Sequence, residues 1–223
     1  MSSQRSLVLI EALEAVLPQT QCGQCGYEGC TPYAQALAAG AADCDRCPPG
    51  GDFVAAALAK LLGIPARTYD RTRGEHLPPQ LAVIREAECI GCTKCIQACP
   101  IDAIVGAAER MHTVMLDACS GCALCLPVCP VDCIDLVTTA GLAPCVGQDA
   151  EAAARAQRHP QADAWRSRHD ARVRRMEASR LERATRLAAQ SVKATAGGAT
   201  LPPAVAAALA RAELAQNKPD RET

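Results

Sequence analysis

Cys89-Ile-Gly-Cys-Thr-Lys-Cys-Ile-Gln-Ala-Cys-Pro-Ile-Asp-Ala-Ile104 returns thirty residues later as Cys119-Ser-Gly-Cys-Ala-Leu-Cys-Leu-Pro-Val-Cys-Pro-Val-Asp-Cys-Ile134. A Cys-x2-Cys-x2-Cys run sets three thiols on one tight loop. The fourth cysteine, followed by proline, is directed elsewhere, and in the bacterial two-cluster arrangement it ligates the other run's [4Fe–4S] cube. On this reading Cys89, Cys92, Cys95 and Cys129 form one ligand set, and Cys119, Cys122, Cys125 and Cys99 form the other. Gly91 and Gly121 leave room for backbone amides to approach sulfur, and Pro100 and Pro130 turn the chain after each fourth cysteine. The competing reading is a pair of zinc sites, but zinc usually takes two cysteines from each Cys-x2-Cys knuckle.

Short β-type segments flank both runs: Leu81–Ile84 and Thr113–Leu116 before them, Ile104–Val105 and Ile134–Val137 after. That order predicts a pseudo-twofold domain with small antiparallel sheets.

A second cysteine system lies upstream, with Cys22, Cys25, Cys30 and Cys47 spaced x2, x4 and x16. Three thiols within nine residues, with Gly23, Gly26 and Gly29 between them, suit a cube wrapped by a loop. The fourth arrives after a helix of about Pro32 to Ala41. Zinc or a thiol redox pair remains a competitor here. Cys44 could replace Cys47, although Cys47 has the Cys-Pro context of the other fourth ligands. Cys133 stands where Ala103 stands in the first repeat and reads as a small core residue. Cys145 reads as a spare thiol.

Around this system, apolar residues at Leu9, Ile10, Leu13, Val16 and Leu17 mark one face of a helix over Ser6–Leu17, ended by Pro18. A further helix is predicted over Asp52–Leu62. Residues 63–80, with Gly63, Pro65, Gly74, Pro78 and Pro79 among charges, have the composition of a linker.

One Phe, one Trp and three Tyr in 223 residues are too few bulky side chains for one large core, so small stapled domains are expected. The fifteen cysteines are the staples. Leu7–Ile10 is too short for a signal-peptide core and no run of about 18 apolar residues occurs, so a cytoplasmic, reducing location is expected. There, close cysteines read as metal ligands rather than disulfides.

Charge divides the chain. Residues 1–149 carry 9 Lys/Arg against 16 Asp/Glu, and residues 150–193 carry 11 against 5. Beyond Asp149 the sequence turns to Ala, Arg and Glu. Pro160 separates a short helix from a longer one over about Gln161–Ser191, with Trp165, Val173, Met176, Ala184 and Leu187 on a loose stripe. A terminal helix over Ala204–Gln216 follows Thr200-Leu-Pro-Pro. His76, His112, His159 and His169 have no acid or serine arrangement around them and read as solvated. No phosphate loop or dinucleotide fingerprint occurs, and no substrate-converting site is expected.

The string Leu17-Pro-Gln-Thr-Gln-Cys-Gly-Gln-Cys-Gly-Tyr-Glu-Gly-Cys30, with Cys47-Pro-Pro-Gly-Gly51 and Ala87–Leu136, resembles the B subunit of the Rnf (also called Rsx) electron-transport complex. The resemblance covers about residues 7–140. It implies a cluster domain before a two-cluster ferredoxin domain, and three [4Fe–4S] clusters on the twelve cysteines named above. The expected fold is α+β: an N-terminal [4Fe–4S] domain (1–62), a linker (63–80), a two-[4Fe–4S] ferredoxin-like domain (81–147), and an Ala/Arg-rich helical tail (148–223), partly disordered. Family members usually begin with a hydrophobic anchoring helix. This sequence, with Met1–Val16 before the motif, is expected to lack it.

The expected role is a one-electron relay on the cytoplasmic face of the inner membrane, with redox proteins or other Rnf/Rsx subunits as partners. The basic tail would make peripheral membrane contact through Arg166, Arg168, Arg172, Arg174 and Arg175. A free-standing ferredoxin-like carrier is the first alternative. A nucleic-acid-associated protein with structural clusters is the second, but aromatics to stack on bases are almost absent.

Overall fold

The computed structural model describes residues 3–139, 160–196, 204–207 and 210–211. Cys145, His159, the short helix expected before Pro160 and most of the expected terminal helix lie outside these residues. The architecture mixes helices with two small sheets, and it divides into two units, Met1–Arg172 and Val173–Thr223. Among the described residues no helix is long and apolar enough to cross a membrane.

The chain opens with α1 (Ser3–Val16), α2 (Cys30–Ala38) and α3 (Gly51–Leu62). The apolar stripe of α1 is the reason for its burial: Leu13, Val16 and Leu17 are fully enclosed, packed with Tyr33, Leu37, Val54 and Leu58. Each such side chain contributes roughly 1.5–3 kcal/mol by leaving water. Helix α3 ends on Gly63, whose left-handed backbone (φ 67°) lets its N–H reach the Ala59 and Lys60 carbonyls.

The segment read as a linker is partly built into this core. Tyr69 is buried, its N–H donates to Asp52 Oδ1 at 2.9 Å, and Asp70 caps a 3-10 turn over Arg71–Arg73. Beyond that turn, His76 Nδ1 lies 2.9 Å from the Pro48 carbonyl.

The repeat region holds β1 (Gln80–Ile84), β2 (Ile104–Val105), β3 (Thr113–Val114) and β4 (Ile134–Thr138). Strand β1 pairs antiparallel with β4, from Gln80 opposite Thr138 to Ile84 opposite Ile134, and β2 pairs with β3. The thirty-residue repeat is written in the backbone as well. Gly91 and Gly121 have φ of 69° and 67°, Thr93 and Ala123 have 61° and 62°, and Asp102 and Asp132 both have 51°.

The two glycines are required by crowding. A Cβ on Gly91 would stand 2.5 Å from Arg110 N, and one on Gly121 2.2 Å from the Gln80 carbonyl oxygen. The halves differ in α4 (Lys94–Ala98), which, like a 3-10 turn over Glu86–Glu88, exists only in the first. Gln97 N–H bonds the Thr93 carbonyl there, whereas Pro127 at the matching position has no N–H to give.

Helix α5 (Ala162–Ala196) begins on this region. Ala162 and Trp165 are buried in the core of the repeat region, so residues 160–172, read from composition as tail, belong with the body. Arg168 donates from Nε and an Nη to the Ile101 and Asp102 carbonyls at 3.0 and 3.1 Å. Arg172 pairs with the Asp102 carboxylate at 2.5 Å, and Arg166 pairs with Glu14 of α1 at 2.8 Å. Three of the five arginines expected to face a membrane are therefore engaged with protein. Within the second unit, Val173, Met176, Leu181 and Leu187 are exposed.

Candidate iron–sulfur sites

The two runs of the repeat line two cavities. One, with about 310 Å³ of empty space partly open to solvent, has Cys99, Cys119, Cys122 and Cys125 on its wall with Ile101, Ile104 and Val114. The other, about 260 Å³, has Cys89, Cys92, Cys95 and Cys129 with Ile84, Ile134 and His112. Each cavity thus takes three thiols from one loop and the fourth from the other run. The cause is local: each Cys-Pro step lies between a loop and a strand belonging to opposite sheets, so the fourth cysteine crosses the pseudo-twofold axis.

Backbone donors already face sulfur. Ala103 N–H donates to Cys99 Sγ at 3.1 Å, and Gly121 N–H to Cys119 Sγ at 3.5 Å. Burial pushes the thiols of Cys122 and Cys125 up to about 12, with neighbouring cysteines adding to the rise. Burial favours the protonated thiols here, and a bound iron would supply the positive charge that holds them as thiolates. At Cys129 burial again opposes ionisation, but amides of Cys133, Val131 and Asp132 outweigh it and hold that thiol below its ordinary value.

In the N-terminal region Cys22, Cys25, Cys30 and Cys47 act on one another. Burial pushes Cys30 up to about 12, and Cys22 and Cys25 add to it. Cys47 is raised well above its ordinary value by burial and then by Cys30, Cys22 and Cys25. Cys44, fully buried, responds after burial to Asp45, Arg67 and Asp43 instead. Tyr33 hydroxyl holds this loop, donating to the Asp43 carbonyl at 2.8 Å and accepting from Arg46 N–H at 3.3 Å.

Three residues that the spacing of cysteines does not reveal complete these sites. Buried Gln19 and Gln21 form a chain: Gln19 Nε2 donates to the Glu14 carbonyl, Gln21 Nε2 to Gln19 Oε1, and Gln21 Oε1 accepts from Cys30 N–H at 2.9 Å. The polar string Gln19-Thr-Gln21 ahead of Cys22 was the available signal. His112, read as solvated, is instead 1% exposed and touches the sulfurs of Cys95 and Cys89. Its place opposite the Cys89 loop follows from the sheet, which sequence periodicity did not fix. His169 also sits largely covered, its ring near Gly29. Cys133 Sγ lies 3.6 Å from Cys129 Sγ.

The N-terminal and repeat regions meet at a polar contact. Ser120, between Cys119 and Cys122, donates from its hydroxyl to the Thr20 carbonyl at 2.9 Å. Arg73 donates to the Cys25 carbonyl at 3.4 Å.

The donor chemistry fits iron–sulfur clusters: buried and half-buried all-thiol sets, amides aimed at sulfur, and apolar walls around the two repeat cavities. Family comparison agrees. Residues 82–136 match the model of the "4Fe-4S dicluster domain", and residues 17–49 match one described as "Putative Fe-S cluster". Fold and site define a ferredoxin-like iron–sulfur protein.

Curated relatives narrow this further. The chain is 64% identical over 129 residues to the B subunit of the ion-translocating oxidoreductase complex of Pseudomonas aeruginosa (strain UCBPP-PA14), covering 58% of this chain and 67% of that protein. The B subunits of the same complex in Ectopseudomonas mendocina (strain ymp) and Hahella chejuensis (strain KCTC 2396) match at 63% and 61% over the same length. The match spans 66% and 65% of those two, just under two thirds of each. The chain belongs to the family of ion-translocating oxidoreductase complex B subunits.

Proposed function

We propose that this chain is a one-electron relay working as the B subunit of an ion-translocating oxidoreductase complex, with three [4Fe–4S] clusters on twelve cysteines. Cys22, Cys25, Cys30 and Cys47 hold the first. Cys89, Cys92, Cys95 and Cys129 hold the second, and Cys119, Cys122, Cys125 and Cys99 hold the third. When bound, such clusters supply reversible one-electron chemistry at potentials set by charge, amide hydrogen bonds and burial.

The observation that carries the reading is the pair of cavities, each walled by one run's three cysteines and the other run's Cys-Pro cysteine. The chain's own part is to bury the thiolates, exclude water with Ile84, Ile101, Ile104 and Ile134, and offer amides to sulfur. Through Ser120 and Thr20 it also brings the N-terminal loop beside the Cys119 loop.

The domain layout supporting this is residues 1–62 for the first set, a partly built connector, and residues 81–139 with 160–172 for the other two. The helix beyond Arg172 carries Arg174, Arg175, Arg180, Arg183 and Arg186 against Glu177 and Glu182. That positive stretch suits peripheral contact with an anionic cytoplasmic leaflet, at about 1 kcal/mol per basic residue and screened by salt.

Anaerobically prepared protein is expected to contain about twelve irons and twelve sulfides per chain. Stoichiometric zinc with little iron would end this reading. Co-purification with membrane subunits tests the assignment to a complex; a chain that purifies alone and reduces soluble acceptors would favour a free-standing carrier.

A further inference from the structure

The two repeat cavities differ in what faces sulfur. Around Cys99, Cys119, Cys122 and Cys125 the wall is apolar except for Ser120, whose hydroxyl donates to the Thr20 carbonyl and which is also a hydrogen-bond partner of Cys122. The other wall contains an imidazole. His112 Nδ1 stands 3.3 Å from Cys95 Sγ and 3.6 Å from Cys89 Sγ, and its backbone N–H donates to Cys89 Sγ at 3.4 Å. A cysteine bound to iron is a thiolate with no proton to give, so Nδ1 carries the proton and donates. The buried Nε2 has no hydrogen-bond partner among the described residues. Sulfur is what this ring addresses.

The position is built into the repeat. Thirty residues before His112 stands Ala82, opposite Leu136 across β1 and β4. Continuing the pairing of Val105 with Thr113 in the other sheet sets Gly106 opposite His112. The large side chain has changed strands between the halves. A Cβ on Gly106 would stand 2.4 Å from His112 Cδ2, so glycine there makes the room that the ring occupies.

We propose, resting on the three-cluster reading above, that His112 raises the reduction potential of the cluster held by Cys89, Cys92, Cys95 and Cys129 relative to its pseudo-symmetric counterpart. Reduction adds negative charge that is shared with the thiolate sulfurs. A donor aimed at sulfur therefore favours the reduced form more than the oxidised one. Pseudo-symmetry builds two like cages, and His112 makes them unlike.

The test is a redox titration of the anaerobic full chain followed by electron paramagnetic resonance, with signals assigned through C92A and C122A. In H112L the potential of the Cys89-side cluster falls. At a fixed poise its reduced-to-oxidised ratio drops by up to about tenfold, equivalent to about 59 mV for a one-electron couple. The Cys119-side cluster keeps its potential. H112N, which keeps an N–H near the Nδ1 position, restores most of the shift.

An unchanged potential in H112L at full iron content, or equal shifts in both clusters, would overturn the inference. Should H112L fail to load iron, pulsed resonance on wild-type protein labelled with 15N-histidine decides: nitrogen coupling on the Cys89-side signal supports it, and none refutes it. Wild-type protein without four-iron clusters would remove the three-cluster reading, and this inference with it.

Discussion

From Ser3 to Leu62 the buried cysteines Cys25, Cys30, Cys44 and Cys47 share a helical core with larger side chains, Leu13, Val16, Leu17, Tyr33, Leu37 and Leu58. From Gln80 to Thr138 the cysteines are themselves much of the core, with Cys95, Cys99, Cys119, Cys125 and Cys133 buried among Ala82, Ala103 and four isoleucines. The first region closes on side chains that fill space. The second closes around two cavities, and its sheets are two strands each, too small to stand without support. The lesson is that one chain frames its two candidate cysteine systems by unlike means, and the regions should differ in what they lose when iron is removed.

The largest effect expected is from chelation under anaerobic conditions. Without iron the thiol sets lose the bonds that tie the two runs together, in a region with little other core. Hydrogen exchange should show loss of protection in β1–β4 while α1 and α3 stay protected. Equal loss in both regions would break the comparison.

Next in size is crossed dependence within the repeat. Cys99→Ala should abolish the resonance signal of the Cys119 set, and Cys129→Ala that of the Cys89 set. Loss of the signal from the same run in each case would show that the cages are not crossed.

Helix α5 ties the two regions together, and truncation measures how firmly. Ending the chain after Arg172 should leave the urea midpoint within experimental scatter. Ending it before Pro160 removes buried Trp165 and leaves the buried Glu14 carboxylate without Arg166. Losing a buried aromatic costs about 3–5 kcal/mol in comparable cases, the half-exposed Arg166 adds less, and iron should be held less firmly. A chain cut there with unchanged midpoint would mean that α5 rides on the body without supporting it.

The smallest effect belongs to the N-terminal loop. Tyr33→Phe removes the hydroxyl bonded to Asp43 and Arg46 while keeping the ring in the core. About 1 kcal/mol of stability should be lost, measured by denaturation, with iron content unchanged. Cys44→Ala should likewise leave iron content unchanged; loss of iron would make Cys44, not Cys47, the fourth ligand of the first set.

Much of this was legible in the amino-acid order because metal ligation and turn chemistry are local. Cys-x2-Cys-x2-Cys can place three thiols on one loop wherever it occurs, and the thirty-residue repeat foretold paired antiparallel strands. The stripe from Leu9 to Leu17 marked α1 for burial. What composition could not tell was where an arginine-rich helix would lie. Residues 160–172 read as tail because charged residues usually face water, yet Trp165 and the carbonyls of Ile101 and Asp102 give that stretch a buried seat. The carboxylate of Glu14 gives Arg166 its reason to point inward.

The same holds for His112, one polar residue in an exposed-looking loop until the sheet places it against Cys95. Sequence by itself determined which cysteines are candidate ligands, because that reading depends on spacing along the chain. Only the tertiary structure decided which polar side chains meet them, because such contacts arise between residues far apart in sequence.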